Sequence, residues 1–254
     1  MIDTRILAAM AALLAPITAA TADGQTSRAS YCCEPPTWSG AYAGFHAGGA
    51  WADTGWTFPF VETYNTAPGQ HFSTNPQGAI VGGQLGYNHQ FGVWLIGAEI
   101  SYAGSNMTET LTGPVTAAFP ADTFRTNMSD LFTTVGRFGV ALDKVMLYGK
   151  AGYANANVDL KANSGSPTPG VSAHASSRED GWVIGGGIEY RAMRSLVFGI
   201  DYNYATLGTG RFTTTTGGTA PGLPISVDLD DVHIHTVTAR LSILLDRGPT
   251  APTK

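Results

Sequence analysis

Residues 181–204, GWVIGGGIEYRAMRSLVFGIDYNY, carry the reading of the whole chain. Taken alternately, Trp182, Ile184, Gly186, Ile188 and Tyr190 fall on one side, and Val183, Gly185, Gly187, Glu189 and Arg191 on the other. After Ala192-Met193-Arg194 the alternation resumes, setting Leu196, Phe198, Ile200, Tyr202 and Tyr204 against Val197, Gly199, Asp201 and Asn203. A period of two marks a strand, because successive side chains point to opposite faces. One face is bulky, apolar and ends in aromatics; the other is glycine with a few charges. A soluble sheet would hide its bulk and wet its charges. Here the bulk suits lipid and the small face suits a narrow interior, so the stretch reads as a transmembrane β-hairpin.

The same pattern extends in both directions. Phe45 and Trp51 oppose Tyr42, Gly44, His46 and Gly48 in a strand opening at Trp38. Further strands run over about 78–91, 94–102, 131–141, 145–153 and 236–245, each with apolar residues against glycine and polar ones. Tight turns fall near 92, 143 and 193, while the intervals 52–77, 104–129, 159–179 and 206–231 are rich in Thr, Asn, Gly and Pro and read as loops. Eight strands with connections alternating long and short predict an all-β, antiparallel up-and-down transmembrane barrel with short periplasmic turns and four long external loops. Closure leaves no edge exposed to hydrocarbon.

Composition points the same way. Charged residues are 13% of the 254, glycine accounts for 32, and the formal net charge of −5 gives no basic footprint for nucleic acid. Residues 1–22 read as a signal peptide: Arg5, an apolar run over 6–15 too short to span a bilayer, and an Ala20-Thr21-Ala22 cleavage site. Residues 23–37 read as a periplasmic linker, 38–246 as the barrel and 247–254 as a polar tail. Cys32 and Cys33 are neighbours in the linker, a spacing poorly suited to an unstrained bridge.

Several segments carry a resemblance: WSGAYAG (38–44), GGQLGYNHQF (82–91), IGAEISY (96–102), VGRFGVALDKVMLYGKAGYA (135–154), and GWVIGGGIEY followed by DYNY. In order and spacing the chain resembles the small outer-membrane immunogenic, or opacity-porin-like, β-barrel family of alphaproteobacteria. The resemblance implies an exported barrel of the Gram-negative outer membrane whose loops serve as antigen or host-contact surface. In some members they bind haemin. It departs at the end: members finish on an aromatic residue read by the barrel-assembly machinery, whereas here Leu245-Asp246 is followed by RGPTAPTK. The partners implied are outer-membrane lipid and lipopolysaccharide and that machinery, with host surfaces or haemin at the loops. No cofactor is expected.

The interior faces are expected to hold His46, Glu99, Arg137, Lys150, Glu189, Arg191, Asp201 and Arg240. An eight-stranded barrel is just wide enough for its own side chains, and an unpaired buried charge costs several kcal/mol. These groups therefore read as an ion-pair network plugging the lumen, with a narrow ion or small-solute channel as the alternative. Trp51, Trp94, Tyr102, Trp182, Tyr190, Tyr202 and Tyr204 fall near strand ends and read as interfacial girdles. His233 and His235 share a strand face and are candidate metal ligands, but no third ligand has a matching spacing. Ser172 and His174 are close in sequence without a nucleophile motif, so no catalytic residues are assigned. The expected function is a non-enzymatic surface barrel supporting envelope integrity and contact through its loops.

Overall fold

The computed structural model describes residues 37–58, 69–112, 122–165, 170–208, 210–218, 221–222 and 224–245. The signal peptide, most of the linker with its two cysteines, and the polar tail lie outside these. Eight long strands form the wall: β1 (Gly40–Phe58), β3 (Gln77–Phe91), β4 (Trp94–Thr112), β5 (Thr123–Leu142), β6 (Val145–Asn163), β7 (Val171–Arg191), β8 (Leu196–Leu207) and β12 (Val232–Leu245). Each pairs antiparallel with its neighbour, and β12 pairs with β1 from Ala41↔Leu245 to Asp53↔His233, closing a ring of eight. The short turns expected at 92, 143 and 193 are present; Gly92 and Asp143 supply the positive φ they need.

The strands run further than the sequence pattern predicts. β4 to β7 are 19 to 21 residues long, about twice what a tilted span requires. The intervals read as loops are therefore largely wall. β2 (Gln70–Thr74) continues β3 past Asn75-Pro76 and pairs with β1. β9 (Gly210–Thr215) and β11 (Pro224–Leu229) form a hairpin that continues β8 and β12, and Trp56↔Leu229 joins it to β1. A two-residue strand, β10 (Gly217–Gly218), pairs with β7.

What changes along each strand is the sense of the alternation. In the lower half of β6, Leu147 and Tyr153 face outward and Tyr148 and Lys150 inward. From Ala154 upward, Ala154, Ala156, Val158, Leu160 and Ala162 are buried, while Asp159, Lys161 and Asn163 lie toward solvent. No residue is inserted in β6; only the chemistry inverts. Lipid is the outer solvent below this point and water above it. In β5 an irregularity between Met128 and Leu131 keeps both side chains inside, as a bulge does when it re-aims one residue.

The upper half thus encloses an apolar core. Phe124 is central to it, its ring 5.2 Å from Phe72, 5.9 Å from Trp56 and 6.1 Å from Phe58. Phe212 and Val227 of the β9–β11 hairpin cap it. On the hairpin's wet face Arg211 holds Asp228 at 2.6 and 2.9 Å, which keeps the Asp228 carboxyl below its usual pKa. Phe124→Ala is expected to cost about 3–5 kcal/mol by emptying this core. Urea unfolding in detergent micelles checks it; a loss below about 1 kcal/mol would mean a loose, hydrated upper barrel.

Candidate functional site

The lumen of the lower half is built in layers. At the end bearing the short turns, Trp38, Leu95, Met146, Val197 and Leu244 form a buried apolar layer. Trp38 does not open a strand as the sequence suggests. It turns inward, donates from Nε1 to the carbonyl of Asp143 at 3.0 Å, and its backbone N–H donates to Gln90 Oε1 at 2.7 Å. The Arg191 guanidinium stacks 4.6 Å over its ring and donates to the Thr37 carbonyl at 2.5 Å.

Next comes the charged layer. Arg240 reaches Asp201 at 2.7 Å and binds both oxygens of Glu99. Arg137 reaches Glu189 at 2.7 Å and Glu99 at 3.3 Å, with its guanidinium 3.9 Å over the Tyr148 ring. Lys150 lies 2.5 Å from Asp201 and 3.5 Å from Glu99. Tyr42 donates to Glu99 at 2.7 Å, and Tyr148 to Asp201 at 2.5 Å. Three acids meet three bases, so the layer is formally neutral. Every one of the six is under 9% exposed. Pairing with additional hydrogen bonds is the condition under which buried charges are tolerated.

Glycine makes this crossing possible. Arg137 and Lys150, directly opposite each other, have Gly97 and Gly185 on their outer sides; Glu189 and Arg240 flank Gly199; Asp201 faces Gly187. A Cβ at Gly187 would sit 2.6 Å from Asp201 Oδ1 and 2.7 Å from Tyr148 Oη. Long side chains on some strands fill the space that glycine leaves on the next.

The expected eight-residue network differs at two positions. Arg191 belongs to the Trp38 layer, one rank too near the periplasmic end to reach the acids. His46 lies above the charges and shares a 2.7 Å hydrogen bond with Gln84. Tyr42 and Tyr148 are the members the sequence reading missed, because only ionisable acids and bases were sought on that face. Beside His46 a cavity of about 30 Å³, room for a water or two, is floored by Glu99, Lys150, Asp201 and Arg240 of the charged layer and walled by Ser101, Thr133, Asn203, Thr236 and Thr238. The apolar upper core follows directly.

On the outer face Trp94 and Tyr190 lie at the short-turn end, and Trp51, Tyr102, Trp182 and Tyr202 are exposed nearer the other, with Tyr204 half-buried among them. His233 and His235 join this upper group. His235 stacks on Trp51 at 5.5 Å and bonds Tyr202 through Nδ1 at 2.8 Å, while His233 Nδ1 bonds Tyr204 at 2.9 Å. Among the described residues no set of three or more His, Cys, Asp or Glu is arranged to hold a metal. His71 instead pairs with Asp230 at 2.8 Å on the rim, and His174 lies 3.8 Å from Asp159.

Comparison with known proteins agrees with this architecture. Residues 6–242 match the model of the outer membrane protein beta-barrel domain. The chain is 29% identical over 214 residues to the 31 kDa outer-membrane immunogenic protein of Brucella melitensis, covering 80% of this chain and 86% of that one. The protein of the same name from Brucella suis gives the same figures. Among solved structures, the outer membrane protease OmpT of Escherichia coli superposes with a TM-score of 0.54 at 8% identity, over 81% of this chain and 97% of that one, a likeness of fold alone. The lipid-facing belt, the closed ring of eight strands and the family match converge: the chain belongs to the outer membrane protein beta-barrel domain family and resides in the outer membrane.

Proposed function

We propose that the protein is a non-conducting, non-enzymatic barrel that anchors a rigid β-walled surface outside the cell and adds to envelope integrity. One observation carries this reading: a neutral, fully paired charge layer lies between two apolar layers inside the lumen. An ion entering from outside would meet the apolar upper core before any counter-charge. One entering from the periplasm would meet the packed layer of Trp38, Leu95, Met146 and Leu244, where the Arg191 guanidinium is stacked on Trp38. Desolvation in either layer is costly. Channels for larger solutes belong to barrels of about 16 strands. The relatives' name, outer-membrane immunogenic protein, supports surface exposure of this chain as well.

Lysine chemistry tests the reading. Lys144 sits in an exposed short turn, Lys150 is buried in the lumen and Lys161 is exposed on the upper wall. A membrane-impermeant amine reagent applied to intact cells is expected to label Lys161 and spare Lys144. Breaking the outer membrane should then expose Lys144. Labelling of Lys144 in intact cells would contradict both the orientation and the seal.

A further inference from the structure

The described upper wall carries four Arg or Lys side chains facing water: Arg125, Lys161, Arg178 and Arg211. Two of them have carboxylate partners, Arg178 with Asp130 and Arg211 with Asp228. Among the described residues Arg125 bonds the Thr108 hydroxyl, at 3.0 Å, and neither it nor Lys161 has an ion pair. These two are not scattered. Arg125 on β5 stands directly opposite Lys161 on β6, and Lys161 directly opposite His174 on β7. Three basic side chains therefore form one exposed row across three adjacent strands.

Like charges directly opposite each other destabilise a sheet. The chain as a whole is net negative, so the row is a local feature and not part of a general positive field. Its neighbourhood offers little relief. The connecting segments 113–121 and 166–169 contain no Asp or Glu. Glu109 bonds the backbone N–H of Asn75, and Asp122 is buried, accepting from the Gly165 N–H at 2.9 Å. Asp159, one pleat lower, lies 3.8 Å from the His174 ring, and its carboxylate accepts from Asn127 and Asn157. An external anion with several oxygens is what the row lacks.

We propose that Arg125, Lys161 and His174 form a binding site for the phosphorylated core saccharide of the glycolipid in the surrounding outer leaflet. Height selects this source. Lys161 lies eight residues along β6 beyond Tyr153, the last outward aromatic, which at the usual rise and tilt is about 20 Å above the lipid interface. The row faces sideways from the wall, toward neighbouring glycolipid, and the lipid-facing belt continues directly beneath it. Lys and Arg recognise phosphate by charge-assisted hydrogen bonds, and two cations on one flat wall suit a sugar bearing clustered phosphate groups.

The test uses the full-length folded barrel in nanodiscs carrying either core-phosphorylated lipopolysaccharide or the same lipopolysaccharide after enzymatic dephosphorylation. The wild type is expected to associate about tenfold more tightly with the phosphorylated form and to lose that preference at high salt. The double variant Arg125→Gln, Lys161→Gln should bind both forms alike. Without lipopolysaccharide it should unfold at the same or higher temperature than the wild type, since a like-charge contact is gone. A wild type indifferent to core phosphate overturns the proposal. So does tight binding of a soluble sulfated polysaccharide with no response to core phosphate, which would assign the row to a partner outside the cell. A double variant that loses stability in plain detergent also overturns it, because the row would then be structural.

Discussion

Replacing Arg240 by alanine is expected to remove about 3–5 kcal/mol of folding stability, read as a lower urea midpoint in detergent micelles. Arg240 is ion-paired to all three lumenal acids, closely to Glu99 and Asp201 and at 3.7 Å to Glu189, and its side chain is 3% exposed. Its removal leaves three acids to two bases in a buried layer, and the cavity beside it has room for only a water or two to solvate the excess charge. The loss should shrink on combining Arg240→Ala with Glu99→Gln, which restores balance between Arg137, Lys150, Glu189 and Asp201. Residues sharing one network couple, so the double variant should be more stable than the sum of the single effects predicts. A cost below about 1 kcal/mol for Arg240→Ala would mean that the layer is hydrated, and the plug would fail as an account of the lumen.

The second large effect concerns the level at which lipid gives way to water. Leu85 projects outward near the middle of the belt, opposite Ala43 and Ile100. Leu85→Arg is expected to cost about 2–4 kcal/mol, as charge does near the bilayer midplane of a barrel. Ser176 also projects outward, but above the inversion, opposite Asp159. Ser176→Arg should change stability by less than about 0.5 kcal/mol, as surface changes usually do. The contrast is read from unfolding in lipid vesicles. Equal costs at the two positions would show that the polarity inversion does not mark the membrane boundary.

The same inversion explains how much the sequence revealed. Below it, apolar residues face out and glycine and charge face in, an arrangement no soluble sheet uses, so all eight strands and their short turns were legible. Above it the lipid-facing bulk is gone. Stretches such as Asn155 to Asn163 then look like polar loop, although Ala156, Val158, Leu160 and Ala162 keep perfect alternation toward the inside. Small aliphatics among Asn and Asp give a weak signal, and a search for apolar outward faces passes over it. The hairpin built from β9 and β11 was hidden for the same reason, Phe212, Val227 and Leu229 being its few inward anchors.

Of the lumenal residues, Glu99, Arg137, Lys150, Glu189, Asp201 and Arg240 were legible because each is a rare charge at an inward position. Which of them meet was not, since that depends on how strand tilt aligns layers around the ring. Arg191, two positions along β7 from Glu189, therefore appeared equivalent to it and is not. Tyr42 and Tyr148 stand at inward positions in the alternation too, but a tyrosine there carries no formal charge to mark it, and only the structure shows the two hydroxyls on lumenal carboxylates.

Planar-bilayer recording of the refolded full-length protein tests the sealed lumen most directly. The layered interior predicts a quiet membrane, without discrete unit steps at any voltage the bilayer withstands. Reproducible unit steps from the wild type would contradict it. They would require a continuous aqueous path through the Trp38 layer, the ion pairs and the upper apolar core.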